Sequence, residues 1–408
     1  GSSSTVRRAG DPFKLRIKAV RWQSDGEALT AAALADNPPT PNFQMGDITL
    51  TSAVVAPSDG VAGALSPGDY DHLLGSQTSV DTAISEVGVF RLSATPTASY
   101  FGETVSGGTS GLVGRFIPAY LGAAGDASLT PSCGSAFSYQ GQPMGFAAGR
   151  EPTLTITAYN RGGNVTTNYD RGDFWRLSTP AVGSYSSVTG IAGLDARLAR
   201  QGTASLLQEG VGDGNGVRRY RWSNEQLLYS PGLLPGSDDY PFTARLQQSF
   251  AATALTDPDG ACHGNGAACQ GFAYDFADAP GSEVRLGRLR IDNAHGSELQ
   301  SLGLPIVLES WQSAAGGSFQ FEGLDTCTTA AVLGAPLLDQ YTAGLAAGET
   351  TPTLNWPLNP AQHMLLLSAP GSGNDGSVQV SFQSAPAWLQ YPWDGVSRSA
   401  ARGLATFG

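Results

Sequence analysis

The sequence predicts an all-β chain of two or three Ig-like or related β-sandwich domains in tandem. Three observations carry that expectation. The chain holds 53 Gly and 25 Pro among 408 residues, which supplies far more turn chemistry than a helical protein uses. Short runs recur in which apolar and polar residues alternate, the period of a half-buried strand. Helical periodicity is scarce, and only "GLDARLARQGTASLLQ", Gly193–Gln208, offers one short helix.

"PFKLRIKAVRW" sets Phe13, Leu15, Ile17 and Ala19 against Lys14, Arg16 and Lys18. "DITLTSAVV" follows at Asp47 and "EVGVFRLSA" at Glu86. "TLTITAYN" alternates Leu154, Ile156 and Ala158 with threonines. "FTARLQQSFAATAL" begins at Phe242 and "SVQVSFQSA" at Ser377. Two segments echo one another. "PFKLRIKAV" leads to "TPNFQMGDITLTS", and "EPTLTITAYNRGGNV" leads to "TTNYDRGDFWRLST". Each is a strand, a loop, Thr-x-Asn-Phe/Tyr and a second strand, as two similar sandwich modules would give. The expected organisation is a tag or linker over 1–10, a sandwich over 11–118, a second with longer loops over 119–278 and a third over 279–408.

Charged residues are 14% of the chain and the net charge is −12. An acidic chain does not attract phosphate backbones, so nucleic acid is excluded as a partner. No apolar stretch reaches the ~18 residues of a membrane span, so an integral membrane protein is not expected. The chain opens Gly-Ser without Met, which reads as a cloning scar and makes the missing leader uninformative. Four cysteines are present. Cys262 and Cys269 are close enough to clamp a local loop, which leaves Cys133 with Cys327; four cysteines allow three pairings. Disulfides imply an oxidising compartment.

Candidate sites are few. "GRLRIDNAHGSELQ", Gly287–Gln300, packs Asp292, His295, Ser297 and Glu298 together. A serine nucleophile needs a base, a group orienting that base, and an oxyanion hole. Here Leu289 and Ile291 alternate with arginines, so the stretch reads as a strand with "NAHGSE" as the turn of a hairpin. Leu289 and Ile291 are expected buried and His295 near the surface. The loop "LTDPDGACHGNG" offers Asp257, Asp259 and Asn265 as oxygen ligands for Ca²⁺, although an EF-hand would need more acids. Trp388 and Trp393, in "PAWLQYPWDG", could present a stacking platform for sugar rings. Arg171–Asp173 spells Arg-Gly-Asp beside a strand start and reads as a chance turn.

Several longer segments carry a resemblance. "GRLRIDNAHGSELQSLGLPIVLESWQ", "LDTCTT", "LLLSAPGSGNDGSVQVSF" and "PAWLQYPWDG" with "ARGLATFG" resemble the C-terminal region of MshQ-type proteins. "SEVGVFRLSA", "VGRFIPAYL", "FSYQGQP" and "LTITAYNRGGNVTTNYDRGDFWRLS" extend it over most of the chain. MshQ-type proteins belong to the mannose-sensitive haemagglutinin type IV pilus system of Gram-negative bacteria. The resemblance implies a protein exported through the periplasm to the cell surface. It would be a non-enzymatic adhesin or pilus-assembly accessory, with pilus subunits or surface ligands as partners. It carries over no catalytic residue. It also implies a longer N-terminal part and one further strand after "ATFG", whose removal would leave an open edge. The alternatives are a carbohydrate- or calcium-dependent binding module and a glycan- or peptide-cleaving hydrolase.

Overall fold

The computed structural model of the protein describes residues 7–30, 32–278 and 282–408, and these form three stacked β-sandwiches. Part of the expected linker over 1–10 belongs to the first sandwich. Arg7–Arg8 pairs in parallel with Val113–Ile117, and Ala9 is buried. The rest of that linker, residues 1–6, and the expected boundary at 279 fall outside the described residues.

The first sandwich joins two sheets. One runs in the order Arg7–Arg8, Val113–Ile117, Gly88–Thr95, Met45–Ala56, Asp69–His72, with Gly108–Thr109 added beside Gly88–Thr95. The other runs Phe13–Ile17, Thr78–Ile84, Leu65–Ser66. The alternation in "FKLRI" does what period two requires, with Phe13, Leu15 and Ile17 half-buried and Lys14 and Arg16 exposed. Pro118 separates this unit from the next strand, Tyr120–Asp126.

The middle sandwich sets Tyr120–Asp126, Thr153–Tyr159, Val217–Ser223 and Ser205–Glu209 in one sheet. Ser184–Ser187, Leu246–Phe250 and Phe272–Asp275 form another. Leu154, Ile156, Ala158, Tyr220, Trp222 and Phe250 pack between them. The helix expected over Gly193–Gln208 shrinks to Leu194–Arg197, and Leu198–Gln201 and Ser205–Glu209 are strands. Gly193 and Gly202, both at positive φ, turn the chain on either side, so four helical residues are all that fit.

The C-terminal sandwich places Gly287–Ile291, Leu302–Gln312, Met364–Leu367 and Pro352–Asn355 in one sheet. The other holds Ala294–Gly296, Gly403–Phe407, Gly376–Phe382 and Pro336–Asp339. Leu289 and Ile291 are buried and His295 is exposed. "NAHGSE" is not the expected turn. The chain crosses from one sheet to the other at Asp292–Asn293, and Ala294–Gly296 then pairs in parallel with Ala405–Phe407. Gly287–Ile291 still pairs antiparallel with Leu302–Gln312, after that excursion. The last strand is flanked on both sides, by Ala294–Gly296 and Gly376–Val380, so the open edge expected there is absent.

Two joints hold the sandwiches together. At the first, the 3-10 turn Thr167–Asp170 of the middle unit docks on the first unit. Fully buried Asn168 donates to the carbonyls of Val61 and Val87, each at 2.9 Å, and accepts from the Val61 N–H at 2.8 Å. The Glu86 carboxylate accepts from the Thr167 N–H at 3.0 Å and the Asn168 N–H at 3.2 Å. Around this, Arg161 pairs with Asp11 and Arg171 with Asp59.

At the second joint, Cys133, Phe137 and Tyr139 leave the middle unit and pack into the core of the C-terminal one. Cys133 is bonded to Cys327, and the Tyr139 hydroxyl donates to Asp325 at 2.7 Å. Phe137–Tyr139 pairs in parallel with Glu283–Arg285, and Arg285 pairs with Glu322 at 2.7 Å. A Cβ on Gly287 would lie 2.3 Å from the Tyr139 ring, so only glycine lets this joint close. The other disulfide, Cys262–Cys269, clamps a surface loop.

The disulfides span very different lengths, 194 residues for Cys133–Cys327 and 7 for Cys262–Cys269. Loop-closure entropy then assigns about 5 kcal/mol to the long bridge and about 2 kcal/mol to the short one. Thermal melts of the Cys133→Ser/Cys327→Ser and Cys262→Ser/Cys269→Ser proteins should show the larger loss for the first pair; equal losses contradict this. Asn168→Ala removes the partner of three backbone groups, two on Val61 and the buried Val87 carbonyl, and should cost about 2 kcal/mol at the first joint. Faster hydrogen exchange at the Val61 amide checks it.

Candidate functional site

A groove of about 1030 Å³ lies in the first sandwich. It opens where the two sheets face one another. Leu15 and Ile17 come from one sheet and Ile48, Leu92 and Ala94 from the other. Inward positions of paired strands make its walls apolar. Tyr70 and His72 lie within it, and Trp22, Asn42 and Phe43 also line it.

His72 is its one chemically unusual member. The residue is 2% exposed, and neither ring nitrogen has a hydrogen-bond partner among the described residues. Its ring lies 5.4 Å from Phe43 and 6.1 Å from Tyr70, between centroids. Burial pulls its pKa below the ordinary histidine value, so the neutral ring is favoured. Nothing in the local sequence "DYDHLLG" distinguishes this histidine, because strand alternation only decides which face it takes.

The calcium reading of Asp257, Asp259 and Asn265 is corrected. Asp257 is buried, and its carboxylate accepts from the Tyr169 hydroxyl at 2.8 Å and from the N–H groups of Asp259 and Ala261. Burial raises its pKa, against the bonds from Tyr169 and Ala261 and the nearby Arg115 charge, which lower it. Asp259 pairs with Arg115, and Arg176 stands 3.6 Å away. Asn265 is exposed. Two guanidinium groups occupy the place where a cation would need oxygen ligands. The one described cluster of metal-type donors, Cys133, Asp325 and Cys327, contains the two sulfurs of a disulfide and is therefore no thiolate site.

Trp388 and Trp393 do not share a platform. Trp388 is half-buried against the C-terminal core and reaches the Gly141 turn of the middle unit. Trp393 is 43% exposed but belongs to a box already filled. The Arg288 guanidinium lies 3.8 Å from the Phe319 ring, 4.9 Å from Tyr391 and 5.2 Å from Trp393. Its Nε also donates to Glu309 at 2.7 Å. An internal cation takes the faces that a sugar would stack on.

The remaining candidates are also occupied by the fold. In the Arg-Gly-Asp stretch, Arg171 is held by Asp59 and the Gly214 carbonyl. The Ser297 hydroxyl turns to Glu298 and the Leu299 N–H. His363 is buried, stacked 3.6 Å from Trp356, and bonded through Nε2 to the Pro357 carbonyl. His263 faces Phe272 and the Gln270 carbonyl. Sequence reading singled out none of Glu86, Asn168, Asp325 and His72 as site residues. The Thr-x-Asn-Phe/Tyr echo was the one signal that bore on Asn168. Adding millimolar Ca²⁺ should leave the melting temperature unchanged, because no carboxylate pair in the Asp257 loop is free to bind it. An upward shift that Asp259→Asn abolishes contradicts this.

The structure is all-β, with its sandwiches in tandem and no helix long and apolar enough to cross a membrane among the described residues. No curated protein matches the sequence. Among solved structures it is similar to the zebrafish RET cadherin-like domains 1 to 4, at 9% identity and a TM-score of 0.27 over 89% of this chain and 66% of that one. It is also similar to the surface layer protein SbsC, domains 4–9, at 11% identity and a TM-score of 0.17, covering 91% and 41% of the two chains. For chicken CNTN1 FN1-FN3 domains the identity is 9% and the TM-score 0.20, covering 86% and 88%. Family profiles match along nearly the whole length: DUF6701 second domain at residues 1–83, third domain at 86–277 and fourth domain at 285–408. The boundary between the first two profiles falls inside the first sandwich, between strands Thr78–Ile84 and Gly88–Thr95. By these three consecutive matches, the chain belongs to the DUF6701 family.

Proposed function

We propose that the protein is a non-enzymatic, extracellular component of a type IV pilus system, acting as an adhesin or as an accessory to pilus assembly. The observation that carries this reading is the pair of closely bonded joints. Contacts between domains of one chain are usually modest and polar, which leaves the domains free to move. Here one joint buries a fully satisfied amide and carboxylate, and the other is bridged by Cys133–Cys327. Such a chain suits display: it transmits position along its length instead of enclosing a substrate. The two disulfides fit an oxidising compartment. The pilus context rests on the sequence resemblance to MshQ-type proteins.

The alternatives have lost the residues that suggested them. The sugar and calcium readings depended on Trp388 and Trp393 and on the Asp257 loop, where Trp393 faces Arg288, Asp257 accepts from Tyr169 and Asp259 pairs with Arg115. The hydrolase reading needs a general acid or base open to substrate. Of the candidate acids, Glu86 and Asp257 are buried and bonded to their own protein neighbours, Asp259 and Glu209 pair with arginines, and Glu103 is exposed. In the producing bacterium, the protein should co-purify with sheared pili and be labelled on intact cells. Deleting its gene should reduce piliation or adhesion. Normal piliation and adhesion in the deletion strain, with no enrichment on pili, refutes the reading.

A further inference from the structure

The three sandwiches share a backbone device that the alternation of residues does not reveal. In each, a strand carbonyl accepts from the residue that opens the following turn. Ala19 accepts from Thr40 at 2.9 Å, Ala158 from Thr166 at 2.9 Å and Leu308 from Glu322 at 2.8 Å. The preceding residues pair antiparallel: Val20 with Pro39, Tyr159 with Val165 and Glu309 with Phe321. In the first two units the turn closes alike, with Phe43 donating to the Thr40 carbonyl and Tyr169 to that of Thr166. Asn42 is thus the counterpart of Asn168.

In the middle unit this turn is the plug of the first joint, through Thr167 and Asn168. In the C-terminal unit the turn beginning at Glu322 is the plug of the second joint, through Glu322, Asp325 and Cys327. Both interfaces in the structure are therefore made by one element of the repeat. In the first unit the same turn has no domain on it among the described residues, and Asn42 is exposed.

The surroundings of Asn42 look like an uncovered interface. The Asn42 carbonyl accepts from the Tyr100 hydroxyl, and Phe101 packs against Tyr100 at 4.6 Å while remaining 90% exposed. The Pro41 carbonyl accepts from Gly75, which brings in Leu73 and Leu74 at 63% and 64% exposure. Trp22, beside the Arg21–Pro38 bond, is 54% exposed. Four large apolar side chains grouped at one end exceed the scattered exposure of an ordinary surface. His72, buried in the groove behind them, keeps two unpartnered nitrogens.

We propose that the Pro41–Phe43 turn is a docking face for the end of another β-sandwich, set before the second-domain match that opens at residue 1. Its occupant presents an acidic side chain beside free backbone N–H and C=O groups, as Glu86, Val87 and Val61 do for Asn168. The family order names the occupant: residues 1–83 match the second domain of DUF6701, so the first domain is the unit to seat here. Continuity with both existing joints supports the assignment, which does not depend on the pilus reading.

The test extends the full chain ahead of Gly1 with a DUF6701 first domain from a family relative and compares hydrogen exchange with the unextended chain. Peptides covering 40–43, 72–75 and 99–101 should exchange at least about tenfold more slowly in the extended chain. Asn42→Arg, at an exposed position, should restore fast exchange there and leave the Val61 and Thr167 amides as protected as before. Unchanged exchange at 40–43, with the added domain shown folded by its own protected amides, overturns the proposal. So does protection that appears in the unextended chain as its concentration rises, which assigns the face to a second copy.

Discussion

Both joints of this molecule depend on how the middle and C-terminal sandwiches bury the polar turn that follows a hairpin, at Asn168 in one and at Glu322 and Asp325 in the other. Asn168 is fully buried, and the hydrogen bonds of its side-chain amide go to Val61 and Val87 of the neighbouring unit. Truncating Asn168 while the units stay docked would leave the Val61 and Val87 backbone groups without their partner, which costs more than the bonds are worth in net terms. Tyr139 and Asp325 apply the same rule at the second joint, where Cys133–Cys327 also limits how far the units can separate. The domains are thus coupled by satisfied polar groups at both joints, joined at the second by the apolar packing of Phe137 and Tyr139.

That constraint explains where the reactive-looking side chains went. Asp257 supports Tyr169, whose neighbours Asn168 and Asp170 build the first joint and its backing. Asp170 is itself buried and paired with Arg218 at 2.6 Å. Arg288 sits among Phe319, Tyr391 and Trp393 and is held by Glu309. Acids, arginines and aromatics that resemble binding sets in the sequence are here paired with one another. In a sparsely charged chain, a few well-placed ion pairs are each committed to a fixed geometry. The groove around His72 differs because its polar group has no partner and its rim is apolar and open.

Much of the fold was legible. Period-two alternation in "FKLRI" and "GRLRI" determined which side chains face inward, and the Gly and Pro content determined that turns would be frequent. Cysteine spacing was enough to suggest the loop clamp at Cys262–Cys269. Where reading by period failed, a non-local choice was involved. "NAHGSE" looked like a turn because it is polar, yet Ala294–Gly296 is a strand whose partner lies more than a hundred residues away at Ala405–Phe407. Arg7–Arg8 looked like linker for the same reason. Short parallel pairs have no local signature, since the partner strand supplies their hydrogen bonds.

The sequence by itself therefore determined the class of structure, the alternation of its strands, the cysteine inventory and the repeat that links Thr40–Phe43 to Thr166–Tyr169. Tertiary structure decided what that repeat is for. Asn42 and Asn168 occupy equivalent places after equivalent strands, and nothing in either segment says which one is covered. Burial is a property of the neighbour as much as of the residue: Asn168 has Glu86, Val61 and Val87 in front of it, and Asn42 stands exposed beside an open groove.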